Sequence, residues 1–156
     1  MANTYTQIYI HIVFAVKGRA CIIPKSRSEE LFKYITGIVR RRGQKMLAIN
    51  GMPDHIHIFI GMEPSVSISD LVRDIKAGSS NFVNEHRLVQ GKFSWQEGFG
   101  AFSHSKHEVD RIIRYVRNQQ EHHRVKSFRE EYVALLTEFA VEHDMRYLFE
   151  WVEGKV

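Results

Sequence analysis

Asn50-Gly51-Met52-Pro53-Asp54-His55-Ile56-His57-Ile58-Phe59-Ile60 decides the fold. Successive side chains of an extended strand point to opposite faces. Ile56, Ile58 and Ile60 therefore share one face, and His55, His57 and Phe59 share the other. Asn50–Asp54 is dense in turn formers and follows the extended run Lys45–Ile49, so the two runs read as a β-hairpin. Upstream, Ile8, Ile10, Ile12, Phe14 and Val16 alternate with Tyr9, His11, Val13 and Ala15. That is a strand apolar enough to be buried on both faces, ended by Lys17, Gly18 and Arg19.

Helical patterns fill the intervals. Ser26-x-x-Glu29 is a capping-box pattern, with Leu31, Phe32, Ile35, Ile38 and Val39 behind it at helical spacing. Arg40–Arg42 suit the negative end of that helix, and Gly43 can close it. Ser67-x-x-Asp70 opens a second helix striped by Ile68, Leu71, Val72 and Ile75, running past Gly78 toward His86. Phe93–Trp95 and Phe99–Phe102 read as short extended pieces. Ser105-x-x-Glu108 opens a third helix reaching about Arg124. Ser127-x-x-Glu130 opens a fourth, with Phe128, Tyr132, Leu135, Leu136 and Phe139 on one side, and Tyr147–Val152 is a terminal strand or tail. This order predicts an α+β, ferredoxin-like βαββαβ antiparallel sheet with additional C-terminal helices, in a single domain over residues 1–156. In that arrangement the first and third strands are central. Their isoleucine faces meet the first two helices, and the face carrying His55 and His57 points the other way.

Composition narrows the chemistry. Cys21 is the only cysteine, so an intrachain disulfide and a cysteine zinc cluster are both excluded. With 22 Lys and Arg against 18 Asp and Glu, the +4 charge permits a polyanionic partner without demanding one. Ile8–Val16 is far shorter than the ~20 apolar residues of a membrane helix. No basic segment precedes it, so the expectation is a cytoplasmic protein with no signal peptide and no membrane partner.

Four groups of residues could carry chemistry. His55 and His57, at i and i+2 on one strand face, can bind one cation and leave positions open for substrate; by spacing alone they are equally two polar residues on a half-solvated face. Tyr115 falls about 110° from the centre of the Val109, Ile112, Ile113, Val116 stripe, beside Gln119 and on the same polar side as Arg111, Asn118 and His122. On pattern it reads as a surface or interface tyrosine with its hydroxyl in water. His122 and His123 lie about 100° apart on a helix and do not readily share an ion, so His123 reads as structural. His11 is within reach of His55 and His57 across the sheet but reads as a packed core histidine. Basic residues interleaved with Phe93, Trp95, Phe99 and Phe102 suit either a solvated surface or a single-stranded nucleic acid. No phosphate loop, GxSxG elbow or HExxH motif is present.

Taken in order, these residues resemble the HUH single-tyrosine transposases, those of the smallest bacterial insertion sequences (the insertion sequence 200/605 group). The resemblance runs from His11-Ile12-Val13-Phe14 with Lys17 and Arg19, through Pro53-Asp54-His55-Ile56-His57 and Ile75-Lys76 with Ser79-Ser80. It continues in Trp95-Gln96, Gly98–Ser103, Tyr115–Gln119 and His122-His123, and ends in Phe128 and Glu130-Glu131-Tyr132. It implies a metal-dependent single-stranded DNA endonuclease and strand transferase acting at hairpin-containing element ends. His55, His57 and Gln119 would hold Mg²⁺ or Mn²⁺, and Tyr115 would be the nucleophile. The resemblance further implies a homodimer in which each site takes its histidines from one subunit and its tyrosine helix from the other. Lys17, Arg19, Arg73, Lys76 and Arg111 are the candidate DNA contacts, and Arg111 could also lower the pKa of Tyr115. Two rivals stand beside this: a domesticated, non-cleaving DNA-binding regulator of the same fold, and a small-molecule metal hydrolase. The second lacks, in the sequence, an evident third acidic or histidine ligand.

Overall fold

The computed structural model describes residues 3–18 and 22–144 together with Arg146 and Leu148. Arg19, Cys21 and, apart from Leu148, the segment 147–152 lie outside the described residues. The elements are β1 (Tyr9–Ala15), α1 (Ser28–Arg41), β2 (Lys45–Met52), β3 (His55–Gly61), α2 (Ile68–Glu85), β4 (Gly100–His104), α3 (Val109–Arg117), α4 (Gln119–His122) and α5 (Phe128–Glu138). The sheet order is β2-β3-β1-β4 with every neighbouring pair antiparallel, the ferredoxin-like arrangement expected. No helix among the described residues is long and apolar enough to cross a membrane.

Strand alternation gives the sheet two unlike faces. Ile10, Ile12 and Phe14 lie opposite Ile60, Ile58 and Ile56. That face packs on Leu31, Ile35, Ile38 and Val39 of α1 and on Leu71, Val72, Ile75 and Val83 of α2. Each fully buried aliphatic side chain there contributes about 1.5–3 kcal/mol. On the other face His11, Val13 and Ala15 lie opposite Phe59, His57 and His55. The stripe of α3 (Val109, Ile112, Val116) covers Ala48 and Phe59 as a separate, smaller cluster, and α5 brings in Phe128, Tyr132 and Leu136.

Ser67 caps α2 and Ser127 caps α5 by accepting from Asp70 N and Glu130 N, and Ser105 with Glu108 forms a full capping box ahead of α3. Three local expectations change. The box at Ser26–Glu29 does not start α1: a 3₁₀ turn at Lys25–Arg27 precedes Ser28, whose hydroxyl donates to Lys25 O (2.8 Å), while Arg27 pairs with Glu30 (2.8 Å). The hairpin is tighter than the run of turn formers suggests. β2 continues to Met52, and only Pro53-Asp54 remain between the strands. Their carbonyls accept from Ile23 N and Val16 N, and Gly51 is required because a Cβ there would stand 2.6 Å from His55 O. The third helix does not run on to Arg124. It breaks at Asn118 (φ −96°, ψ 23°), and the Asn50 amide donates to the carbonyl of Arg117 (3.0 Å) at the break.

Candidate functional site

The site sits on the face covered by α3, α4 and α5. His55 opens β3, and its Nδ1 lies 2.7 Å from the Asp54 carboxylate, while Phe128 stacks on its ring at 3.9 Å. His57 Nδ1 lies 2.8 Å from His11 Nε2 across the β1–β3 pairing. Holding the second ring nitrogen in this way fixes the orientation of a metal-ligating histidine. His11 is thus buried, as a packed core histidine, and also meets His57 across the sheet, so both of its sequence readings hold.

The break at Asn118 turns Gln119 inward, fully buried. Its Nε2 donates to Glu131 Oε2 (3.1 Å), and its Oε1 lies 3.0 Å from His123 Nε2 and 3.5 Å from His55 Nε2. Tyr115 is half-buried, its hydroxyl donating to Glu131 Oε2 rather than to water. Glu131 Oε1 lies 3.0 Å from His57 Nε2, 3.1 Å from His123 Nε2 and 3.5 Å from His55 Nε2. One buried carboxylate therefore touches both histidines of the strand motif, the amide and the tyrosine.

Glu131 and His123 were not anticipated as site residues. Glu131 sits three residues after Phe128 and one before Tyr132, inside the apolar stripe of α5; a charge interrupting that stripe was the available signal. His123, read as structural, instead turns its Nε2 into the site because Lys126 O takes its Nδ1 (2.8 Å). α5 and the end of α4 thus bring an acidic and a histidine side chain, which the sequence seemed to lack, within ligand distance of His55 and His57.

Burial sets the electrostatics. It pushes His57 down to about 4 against the pull of Glu131, and with the nearby charge of His57 it holds His11 well below the usual imidazole range. For His55, burial is outweighed by Asp54 and Glu131, and its pKa is raised. For Glu131, burial is outweighed by the surrounding imidazoles, and its carboxyl stays far below the ordinary range. Burial, and then the Glu131 charge, push the Tyr115 phenol above its usual value. Arg111, the cation expected to lower it, pairs instead with Glu108 (2.6 Å). The ligand atoms of His55, His57, His123 and Glu131 all lie within 4.8 Å of one another. Donors on opposite sides of an ion bound at about 2.0–2.2 Å stand about 4 Å apart, so the set fits a divalent cation.

The candidate DNA contacts are dispersed. Arg73 is exposed on α2, across the sheet from the site, and pairs with Asp70 and Asp74. Lys76 turns inward, donating to the carbonyls of Gln96 (2.7 Å) and Gly98 (2.6 Å), with its pKa lowered to about 8 by burial. It thereby fixes the loop that leads into β4. Lys17 is exposed just beyond β1, and Arg111 lies on the same face as the site.

Residues 4–119 match the family model described as IS200-like transposase. The ISDra2 transposase TnpA of Deinococcus radiodurans is 23% identical over 120 residues, which is 74% of this chain and 86% of that protein. A crystal structure described as that of a transposase from Deinococcus radiodurans aligns with TM-score 0.58 and 25% identity, over 76% of this chain and 96% of that one. The structure of a REP-associated tyrosine transposase bound to a REP hairpin aligns with TM-score 0.59, over 79% of this chain and 73% of that one; at 16% identity it speaks for the fold alone. With roughly three quarters of its length inside the family match, the chain belongs to the IS200-like transposases.

Proposed function

We propose that the protein cuts and rejoins single-stranded DNA at hairpin-containing element ends, with Tyr115 as nucleophile. The observation that carries this reading is the convergence of Tyr115, His55, His57 and Gln119 on one buried carboxylate. The Tyr115 oxygen attacks the scissile phosphorus, and the bond from phosphorus to the 3′ oxygen breaks. A 5′-phosphotyrosine and a free 3′-OH result, the departing 3′ oxygen taking up the proton that the phenol gives up by way of its hydrogen bond to Glu131. The phenolic proton leaves toward Glu131 Oε2, which already accepts it as a hydrogen bond. A second 3′-OH then displaces Tyr115 and reseals the strand, the covalent bond having conserved the energy of cleavage. His55, His57 and Gln119 would hold Mg²⁺ or Mn²⁺. When bound, the cation supplies Lewis-acid charge to the non-bridging phosphate oxygens and offsets the Glu131 charge that keeps Tyr115 protonated.

Lys17, Arg19, Arg73, Lys76 and Arg111 are proposed to contact the DNA backbone, Lys76 through the loop it fixes. A hairpin substrate is proposed by analogy with the neighbour of the same fold that is bound to a REP hairpin. We further propose that the protein acts as a homodimer at the nucleoid in the cytoplasm, exchanging tyrosine helices between subunits. α3 docks through its own small apolar cluster, separate from the main core, as an exchangeable element requires.

Incubating the protein with hairpin-flanked single-stranded DNA and Mn²⁺ should give a slow-migrating covalent complex on a denaturing gel. Tyr115→Phe should abolish it and keep DNA binding; a normal adduct yield from that variant would overturn the assignment. Hairpin binding without any adduct from the unaltered chain would favour the non-cleaving regulator. Mixing Tyr115→Phe with His57→Ala subunits should restore part of the adduct if the helices exchange, and none if each chain uses its own.

A further inference from the structure

Resting on the reading of this site as a divalent-metal centre, we infer that His123 and Glu131 are metal ligands in their own right. They turn the two-histidine motif into a centre of three imidazoles and one carboxylate, built for a first-row transition ion such as Mn²⁺ rather than for Mg²⁺. Both residues lie beyond the stretch 4–119 that matches the family. They are supplied by the end of α4 and by α5.

The hydrogen-bond inventory carries the argument. A carboxylate and a peptide carbonyl only accept hydrogen bonds. His55 therefore spends its Nδ1 hydrogen on Asp54, and His123 spends its own on Lys126 O. In the neutral ring the other nitrogen is a lone pair, so His55 Nε2 and His123 Nε2 both present acceptors to the site interior. What they meet there are further acceptors: Glu131 Oε1 at 3.5 and 3.1 Å, and Gln119 Oε1 at 3.5 and 3.0 Å. The Gln119 amide hydrogens are directed elsewhere, to Glu131 Oε2 and toward Tyr115 O. His57 Nε2 faces the same Glu131 oxygen at 3.0 Å, its Nδ1 engaged by His11. Lone pairs from two rings, a carboxylate and an amide thus converge on one buried region, and His57 adds the lone pair of its Nε2 when its ring hydrogen sits on Nδ1, toward His11. Such a convergence is repulsive between neutral rings; a proton on His55 relieves its contact with Glu131, whereas a cation relieves all of the contacts together.

Donor type then selects the ion. Mg²⁺ prefers six oxygens and sheds water reluctantly, whereas imidazole suits Mn²⁺, Co²⁺ and Zn²⁺. The carboxylate also lowers the net charge of the loaded centre from 2+ to 1+, which favours retention of the ion in a buried site. Glu131 is shared: Oε1 faces the imidazoles, while Oε2 holds the Tyr115 hydroxyl. The ligand therefore also sets where the nucleophile stands relative to the ion.

The test uses the full chain stripped of metal, with Mn²⁺ or Co²⁺ alone and no DNA. Electron spin echo modulation of the bound Mn²⁺ should count three imidazoles in the unaltered chain and two in His123→Gln. Calorimetric titration should find Mn²⁺ weakened at least about 10-fold by Glu131→Gln and by His123→Gln, and unchanged within about twofold by Lys33→Ala, an exposed position on α1 across the sheet. Mg²⁺ in about 100-fold excess should fail to displace Mn²⁺. A count of two imidazoles in the unaltered chain, Mn²⁺ affinity untouched by both ligand substitutions, or ready displacement by Mg²⁺ would each overturn the inference. The imidazole count on the unaltered chain decides even if a variant fails to fold. Three imidazoles with no tyrosine adduct would leave the metal centre standing and sink the cleavage reading instead.

Discussion

The two faces of one sheet follow opposite rules. Ile56 and Ile58 point into a dry interface with α1 and α2, while His57 between them points into a buried polar network under α3–α5. Apolar contacts are non-directional, so the first face tolerates small shifts of its helices and loses stability in proportion to what is removed. The second face is held by hydrogen bonds that share members: Glu131 alone links Tyr115, Gln119, His55, His57 and His123. In a low dielectric such a network is strong when complete and costly when one member is missing. The lesson is a division of labour, with one face supplying stability and the other supplying placement.

That division can be broken by truncation on the dry side. Ile58→Ala, at a fully buried position, should cost about 2–5 kcal/mol in urea unfolding. Each molecule that remains folded should still form the tyrosine adduct at a rate within severalfold of the parent. A collapse of adduct formation under conditions where the variant is folded would mean that the faces are not separable.

Acid separates the faces next, because only one of them titrates. In metal-free protein His57, lowered to about 4, and His11, held well below its usual 6.5, stay neutral in the folded state while the unfolded chain protonates near 6.5. The unfolded state then binds more protons, so stability falls as pH drops below about 6.5. Glu131 has the same sign: its folded pKa lies below the usual 4.5, so its contribution is full above that value and lost as pH falls. His55, whose pKa is raised, opposes them, since it gains stability as pH falls through its folded value. Between pH 7 and pH 4.5 the two lowered imidazoles outweigh the one raised imidazole, and Glu131 adds its loss only below about 4.5. The melting temperature in EDTA should drop by several degrees between pH 7 and pH 4.5, and a flat profile would contradict the network as drawn.

The dry face was legible in sequence because its signal is periodic. Ile10, Ile12 and Phe14, and Ile56, Ile58 and Ile60, alternate without interruption, and that alone placed two central strands and the side their helices cover. On the polar face, His55 with His57 and Tyr115 with Gln119 were legible because each pair shares an element and a spacing. Glu131 and His123 were not, since nothing local joins α5 to β3; their meeting depends on how the chain turns at Asn118 and again at Ser127. A carboxylate next to Glu130 on a helix looks like solvated surface until the stripe from Phe128 to Leu136 is seen to be buried around it. Arg111 misled for the converse reason: it lies on the polar side one turn before Tyr115, yet Glu108, three residues before it, takes its guanidinium.

The same small change made once on each face sharpens the contrast. A Cβ at Gly100 would stand 2.8 Å from the Tyr132 hydroxyl, 3.0 Å from its Cε2 and 3.2 Å from Phe102 Cε2. These are parts of rigid rings, and Tyr132 is the neighbour of Glu131 on α5. Gly100→Ala should therefore cost about 1–3 kcal/mol and weaken Mn²⁺ binding severalfold by displacing the carboxylate.

A Cβ at Gly78, in the middle of α2, would stand 2.8 Å from Ile38 Cδ1 where α1 and α2 pack, with nothing else closer than 3.7 Å. That contact is the end of a flexible side chain, and a rotation of Ile38 relieves it. Against its cost stands the gain of about 1 kcal/mol from replacing glycine by alanine inside a helix. Gly78→Ala should accordingly leave stability within about 1 kcal/mol of the parent and leave Mn²⁺ affinity unchanged, because nothing on α2 touches the metal ligands. Equal losses of Mn²⁺ affinity from the two alanines would show that strain crosses the sheet. A loss confined to Gly100→Ala would show that the isoleucine layer absorbs displacement and shields the placement of Glu131 from the helices behind it.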